Sequence, residues 1–108
     1  MKEWQVIMTD TAKSDLREIA FGIVEASGDP DIALGIVMEL EKRCTMLNTH
    51  PEAGAIPKDH MLKALGYRYL AHKHYLVFYL ISAAEHKVYI HAFFNERRDY
   101  FRFMRRRI

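Results

Sequence analysis

The stretch from Gly66 to Met104, GYRYLAHKHYLVFYLISAAEHKVYIHAFFNERRDYFRFM, constrains the fold of this chain more than any other. Runs of β-formers are broken by polar residues and then give way to charge. This pattern predicts strand, turn, strand, turn, strand and a closing arginine-rich helix. The expected strands run from about Tyr67 to His72, His74 to Ser82 and Lys87 to Phe94. The middle one, Tyr75 to Ile81, is apolar on both faces and belongs at the centre of a sheet. In the last, Val88, Ile90, Ala92 and Phe94 share one face, and Tyr89, His91 and Phe93 the other. The first set is expected beneath a helical layer, the second facing outward or toward the final helix.

That helical layer precedes the sheet in the chain. Trp4 to Met8 (WQVIM) is short and β-prone, and Thr9, Asp10 and Thr11 supply helix N-cap chemistry directly after it. Ala12, Leu16, Ile19, Ala20 and Ile23 then recur as one apolar stripe, with Asp15 and Glu18 near the start, where the helix dipole favours anions. Ser27-Gly28 ends this helix. Asp29 caps a second, Pro30 fits its first turn, and Ala33, Ile36, Val37, Leu40, Cys44 and Leu47 repeat the spacing. Two such helices joined by a few residues form an antiparallel hairpin whose apolar side needs a sheet to cover. From Asn48 to Gly66 the periodicity lapses into a loop marked by His50-Pro51, Gly54 and Ile56-Pro57, with a short helical turn at His60 to Ala64.

The expected architecture is therefore α+β: an N-terminal strand, a two-helix hairpin, a three-stranded antiparallel sheet and a short C-terminal helix, in one domain over residues 1–108. At 108 residues, half of them hydrophobic, the chain can bury a single core. No 18-residue apolar run predicts a membrane span, MKEWQVIMTD has no apolar signal core, and the lone Cys44 cannot form an intrachain disulfide, so a cytoplasmic location is expected. Charge is divided unevenly. Residues 1–56 hold five Lys/Arg against ten Asp/Glu, a net of −5, and residues 57–108 hold eleven against four, a net of +7. A basic half of this kind suits a phosphate backbone or an acidic protein partner.

The order of elements, together with TxxAxxDL (Thr9 to Leu16), Leu47 to Pro51 followed by Gly54 and Pro57, Leu65-Gly66-Tyr67-Arg68, Tyr75-Leu76-Val77-Phe78-Tyr79 and Arg97-Arg98-Asp99-Tyr100, resembles the RelE/ParE superfamily of toxins from type II toxin–antitoxin systems. The resemblance spans nearly the whole chain. It implies a cognate antitoxin as partner, a homodimer or a toxin–antitoxin hetero-oligomer, and one of two activities. RelE-like members cut messenger RNA on the ribosome without a metal or other cofactor; ParE-like members inhibit DNA gyrase and are not known as nucleases. The first is the leading expectation from the residues, the second the alternative.

Metal-free RNA cleavage needs a group to deprotonate the 2′-hydroxyl, cations for the phosphorane and a proton for the leaving oxygen. Arginine suits the middle task, being always charged and able to grip two phosphate oxygens. The candidate catalytic set is Arg68, Arg97, Arg98, Tyr100 and His91. Resemblance to RelE-like enzymes implies arginines in these two regions and a Tyr or His near the C-terminal helix. Two departures are visible: Tyr100 follows Arg97 by three residues, closer than in the best-known RNases of that branch, and Arg68 and Leu70 stand where those enzymes carry a lysine pair. His72, Lys73 and His74 at a strand turn, with Arg102, Arg105 and Arg106 on the basic face of the last helix, form the candidate RNA- or ribosome-binding set. No cysteine pair or HExxH helix accompanies the histidines, so no metal site is expected. Cleavage requires Arg68, Arg97 or Arg98, and Tyr100 to converge; gyrase binding tolerates their dispersal.

Overall fold

The computed structural model describes residues 3–107. Strand β1 (Gln5–Met8) runs straight into helix α1 (Asp10–Ser27), which turns back into α2 (Pro30–Thr45) and a 3₁₀ turn (Met46–Asn48). A loop and the short α3 (His60–Ala64) lead to β2 (Arg68–His72), β3 (Tyr75–Ser82), β4 (Lys87–Asn95) and α4 (Tyr100–Arg105). The strands lie within a residue or two of expectation, and the helical turn at His60 forms where the loop pattern placed it.

Local chemistry fixes the boundaries. The Thr9 hydroxyl accepts from the Ala12 N–H to cap α1 while donating to the Ile90 carbonyl at 2.8 Å, so one side chain starts the helix and ties it to β4. Gly28 ends α1 in the left-handed region (φ 71°), its N–H bonded to the Val24 carbonyl at 2.7 Å. Asp29 caps α2 through the Asp31 N–H at 2.9 Å, ahead of Pro30.

The sheet has four strands in the order β1-β4-β3-β2. β2, β3 and β4 are antiparallel as expected, and β1 joins them parallel to β4, so β3 and β4 are the central pair. One face packs on the hairpin: Ala12, Leu16, Leu40, Cys44 and Leu47 meet Leu70, Val77, Tyr79, Val88, Ile90 and Phe93. On the other face Leu62 and Met104 cover Tyr67, Phe78, Ala92 and Phe94.

This division corrects one expectation. The register pairs Phe78 with Ala92 and Tyr79 with Ile90, leaving His91 as the extra residue of a β-bulge. An extra residue shifts the two-residue period by one. Val88 and Ile90 therefore face the hairpin as expected, but Ala92 and Phe94 face α4, and Phe93 points into the hairpin core.

The loop before β2 is held by one buried hydroxyl. Tyr79 donates to the Pro51 carbonyl at 2.7 Å and accepts from the Gly54 N–H at 2.9 Å, while Ala55 pairs with Tyr69 on the outer edge of β2. A Cβ on Gly54 would come within 2.5 Å of the Tyr79 oxygen and 2.8 Å of the Tyr69 carbonyl, so the close approach requires glycine. Among the described residues no helix is long and apolar enough to cross a membrane. Burial pushes the Cys44 thiol up to about 12, which leaves it inert.

Candidate functional site

The sequence-predicted residues divide between the two faces of the sheet. Arg68 lies on β2 directly across from Tyr79, on the hairpin side. Its guanidinium donates to the carbonyls of Glu52 (3.2 Å) and Gly54 (3.0 Å), fastening the same loop that Tyr79 holds. Tyr100, the first residue of α4, lies on the opposite side, its ring 5.6 Å from Phe78 and 6.3 Å from Phe94. The sheet stands between them.

Arg97 and Arg98 sit in the turn from β4 to α4. The Asn95 side chain accepts from the Arg97 N–H at 2.9 Å, and the Asn95 carbonyl from the Arg98 N–H at 3.0 Å, which sets the turn. The Arg98 guanidinium lies 5.3 Å from the centre of the Phe103 ring. Asp99 caps α4 by accepting from Arg102 N–H, and Arg102, Arg105 and Arg106 are exposed around a shallow basic concavity completed by Asp99. Arg98, Tyr100 and the α4 arginines thus share one neighbourhood, without Arg68.

His72, Lys73 and His74 occupy the β2–β3 turn, with Lys73 in the left-handed region (φ 54°). His72 and Lys73 both approach Glu39 of α2, at 3.0 and 2.8 Å, and His74 approaches Glu96 at 3.2 Å. The Lys73 ammonium, then His72, hold the Glu39 carboxyl below its usual range. This turn is bound on one side to Glu39 of the acidic hairpin and on the other to Glu96, in the turn from β4 to α4.

His91, at the bulge, presents its ring edge-on to Tyr67, 5.6 Å between centroids, and its carbonyl accepts from Arg107 at 3.1 Å. Burial, then the Arg107 charge, lowers its pKa below the ordinary 6.5. The neutral ring is thus favoured by the fold. Its contribution to stability is complete above about pH 6.5 and is lost as pH falls from there through the lowered folded value. Thermal melts at about pH 7 and pH 5 should show His91→Gln losing less stability on acidification than wild type. Equal losses in the two proteins would show that the imidazole does not titrate against folding.

Sequence reasoning did not single out the best-buried ionic group. Asp15 sits on α1 between Ala12 and Ile19 of the apolar stripe and is not merely a carboxylate near a helix start: it is buried. It accepts from the Phe93 N–H (3.1 Å) and from Arg107 through two nitrogens (2.8 and 2.5 Å). The Arg107 guanidinium also lies 4.4 Å from the centre of the Phe103 ring. A carboxylate inside an apolar stripe was the available signal, because it demands a buried partner.

Among curated proteins none matches the sequence. A solved structure of the chromosomal ParDE toxin–antitoxin system from P. aeruginosa superposes with a TM-score of 0.71 at 19% identity, covering 85% of this chain and 95% of that one. The RelBE2 toxin–antitoxin complex of Mycobacterium tuberculosis superposes with a TM-score of 0.61 at 21% identity, covering 88% and 93%. Both likenesses are of fold. The model of the family described as ParE toxin of type II toxin-antitoxin system, parDE, matches residues 6–100, nearly the whole chain, and the chain belongs to that family, within the RelE/ParE superfamily.

Proposed function

We propose that this toxin acts by binding DNA gyrase rather than by cutting messenger RNA. The observation that carries this reading is the separation of Arg68 from Tyr100 by the sheet. A cation and a proton donor serving one phosphate must both reach it within about 3 Å, whereas side chains on opposite sheet faces diverge. Arg68 is moreover engaged with two loop carbonyls, the role of a structural arginine. The lysine pair that marks the best-known RNases is also absent from β2, where Arg68 and Leu70 stand instead. Binding asks only for a stable surface. The exposed arginines of α4, with Arg98, supply one with the charge to meet gyrase and the DNA it holds. That both structural neighbours are toxin–antitoxin complexes supports a cognate antitoxin as the second partner.

Two parallel assays on the purified toxin test the reading: gyrase supercoiling, and in vitro translation followed by primer extension on the message. The expected result is inhibited supercoiling with intact message. Arg68→Ala should leave the inhibition within about twofold of wild type, because that side chain lies away from α4. Message cleavage that vanishes in Arg68→Ala or Tyr100→Phe, with gyrase unaffected, would return the protein to the ribosome-dependent RNases.

A further inference from the structure

The helical hairpin is apolar on its outer face as well as on the face that meets the sheet. Phe21, Met38 and Leu34 are 66, 60 and 57% exposed, the most exposed large hydrophobic side chains among the described residues. Phe21 lies on the side of α1 opposite the stripe of Ala12, Leu16 and Ile19. Because α1 ends at Ser27 and α2 begins at Pro30, Phe21, six residues before the one, lies level with Ile36, six residues after the other. It therefore falls between the levels of Leu34 and Met38, and the three side chains make one patch across both helices.

Exposed charges frame this patch. On α1, Arg17 and Glu25 stand one helical turn before and after Phe21. On α2, Asp31 stands one turn before Gly35, and Lys42 one turn after Met38. Among the described residues none of these four charges takes part in an ion pair. Each helix thus carries opposite signs at the two ends of its outer row.

We propose that this face binds a second copy of the chain, the two hairpins packing antiparallel about a two-fold axis that crosses α1 at Phe21 and α2 between Gly35 and Met38. Such an axis reverses each row against itself. Arg17 of either copy then meets Glu25 of the other, and Asp31 meets Lys42. Phe21 meets its own counterpart, and Met38 settles on Gly35, where an added Cβ would find nothing within 4 Å. Glycine weakens the middle of a helix, and neither a positive φ nor a close neighbour calls for it at this position. The two rows belong to different helices, yet their midpoints, Phe21 and the Ile36–Val37 peptide, lie level in the hairpin, so one axis serves both. An axis along the helices would instead set Glu25 beside Asp31, like against like.

Charges that reverse along both helices match their own image, which makes a second copy the occupant. Of the acidic excess on the hairpin, Asp15 is offset by Arg107 and Glu39 by His72 and Lys73. Helices of 18 and 16 residues side by side present a face of roughly 500 Å² per copy. Twice that area is at the low end for a specific interface, so the dimer is reversible and concentration-dependent. Each copy keeps α4 on the far side of its sheet, and the dimer carries two basic surfaces turned away from one another. The inference is independent of which target those surfaces meet.

Sedimentation equilibrium of the purified wild-type toxin should show a monomer–dimer equilibrium in the micromolar range. Arg17→Glu creates two like-charge contacts and should weaken the dimer roughly 10-fold or more, whereas Arg17→Glu combined with Glu25→Arg should return to within about threefold of wild type. Circular dichroism melts confirm that each variant folds. Under oxidised glutathione Phe21→Cys, on the axis, should cross-link to its own counterpart. Met61→Cys, at 47% exposure on α3 and across the sheet from the hairpin, should not; the native Cys44 is buried. A wild-type toxin that stays monomeric, a dimer indifferent to Arg17→Glu, or a double variant that fails to recover overturns the proposal. Cross-linking of Met61→Cys in place of Phe21→Cys overturns it too, by moving the interface to another face. If Phe21→Glu leaves sedimentation unchanged and weakens binding of the purified antitoxin instead, the face belongs to the antitoxin and the proposal falls. Inhibition of supercoiling by the wild-type toxin is scored separately, so neither reading is judged by the failure of the other.

Discussion

Phe78→Ala is expected to cost about 3–5 kcal/mol of unfolding free energy, the range for emptying a fully buried phenylalanine site. Phe78 is wholly inaccessible and lies at the centre of the face that α4 covers. Its ring contacts those of Tyr69 (5.4 Å), Phe94 (5.3 Å), Tyr100 (5.6 Å) and Tyr67 (6.4 Å), so truncation removes the partner of four aromatic groups at once. Collapse around the void is limited, because β3 is held by strands on both sides. The lost contacts include the one that seats the start of α4. Urea titration should show the midpoint falling, with a large fraction of the stability of a domain of this size removed. Phe78→Leu should cost markedly less. A loss below about 1 kcal/mol in Phe78→Ala would mean that this sheet face is not a packed core.

The fold was legible in the sequence because caps, breakers and periodicity agree with one another. Thr9, Gly28 and Asp29-Pro30 mark helix ends that the backbone respects. The doubly apolar β3 is central, and the lapse in pattern between the hairpin and β2 is a loop. The bulge at His91 was not legible. VYIHAFF alternates between two sets that are both apolar or aromatic, so no side chain betrays where the period slips. The parallel place of β1 beside β4 was equally hidden, since the pairing spans some eighty residues and no local signal encodes it.

The candidate site was legible as composition but not as geometry. Sequence put arginines on β2 and near α4 and a tyrosine beside them. It could not tell which face of β2 carries Arg68, because Tyr69 and Leu70 are both apolar enough for either. Packing decides: Leu70 joins the hairpin core and Tyr69 the α4 side, which fixes Arg68 with Leu70. The turn His72-Lys73 was read as a basic surface, yet its partner, Glu39, lies more than thirty residues earlier on α2. Charges visible only as a net sum thus resolve into ion pairs that consume part of it.

Arg107→Ala is expected to lower the unfolding free energy by about 3 kcal/mol, an effect out of proportion to its place near the end of the chain. Past Met8 no strand among the described residues covers β4, and the bulge leaves the Phe93 N–H and the His91 carbonyl directed at α1. Asp15 accepts the first at 3.1 Å and Arg107 donates to the second at 3.1 Å. Carboxylate and guanidinium, bonded to each other, thereby do what the C=O and N–H of a neighbouring strand would do. The Asp15 side chain is 5% exposed and that of Arg107 26%, so removing the arginine strands a buried anion with one amide for compensation. Asp15→Ala leaves instead a more exposed cation, free to turn to solvent, and should cost less, about 1–3 kcal/mol for the orphaned Phe93 amide. In the double variant no buried charge remains. Its loss should therefore fall short of the sum of the single losses by roughly 1–3 kcal/mol, measured by urea unfolding of all four proteins. Additive losses would mean that the two residues act separately, and that α4 is held to the sheet by its aromatic contacts alone.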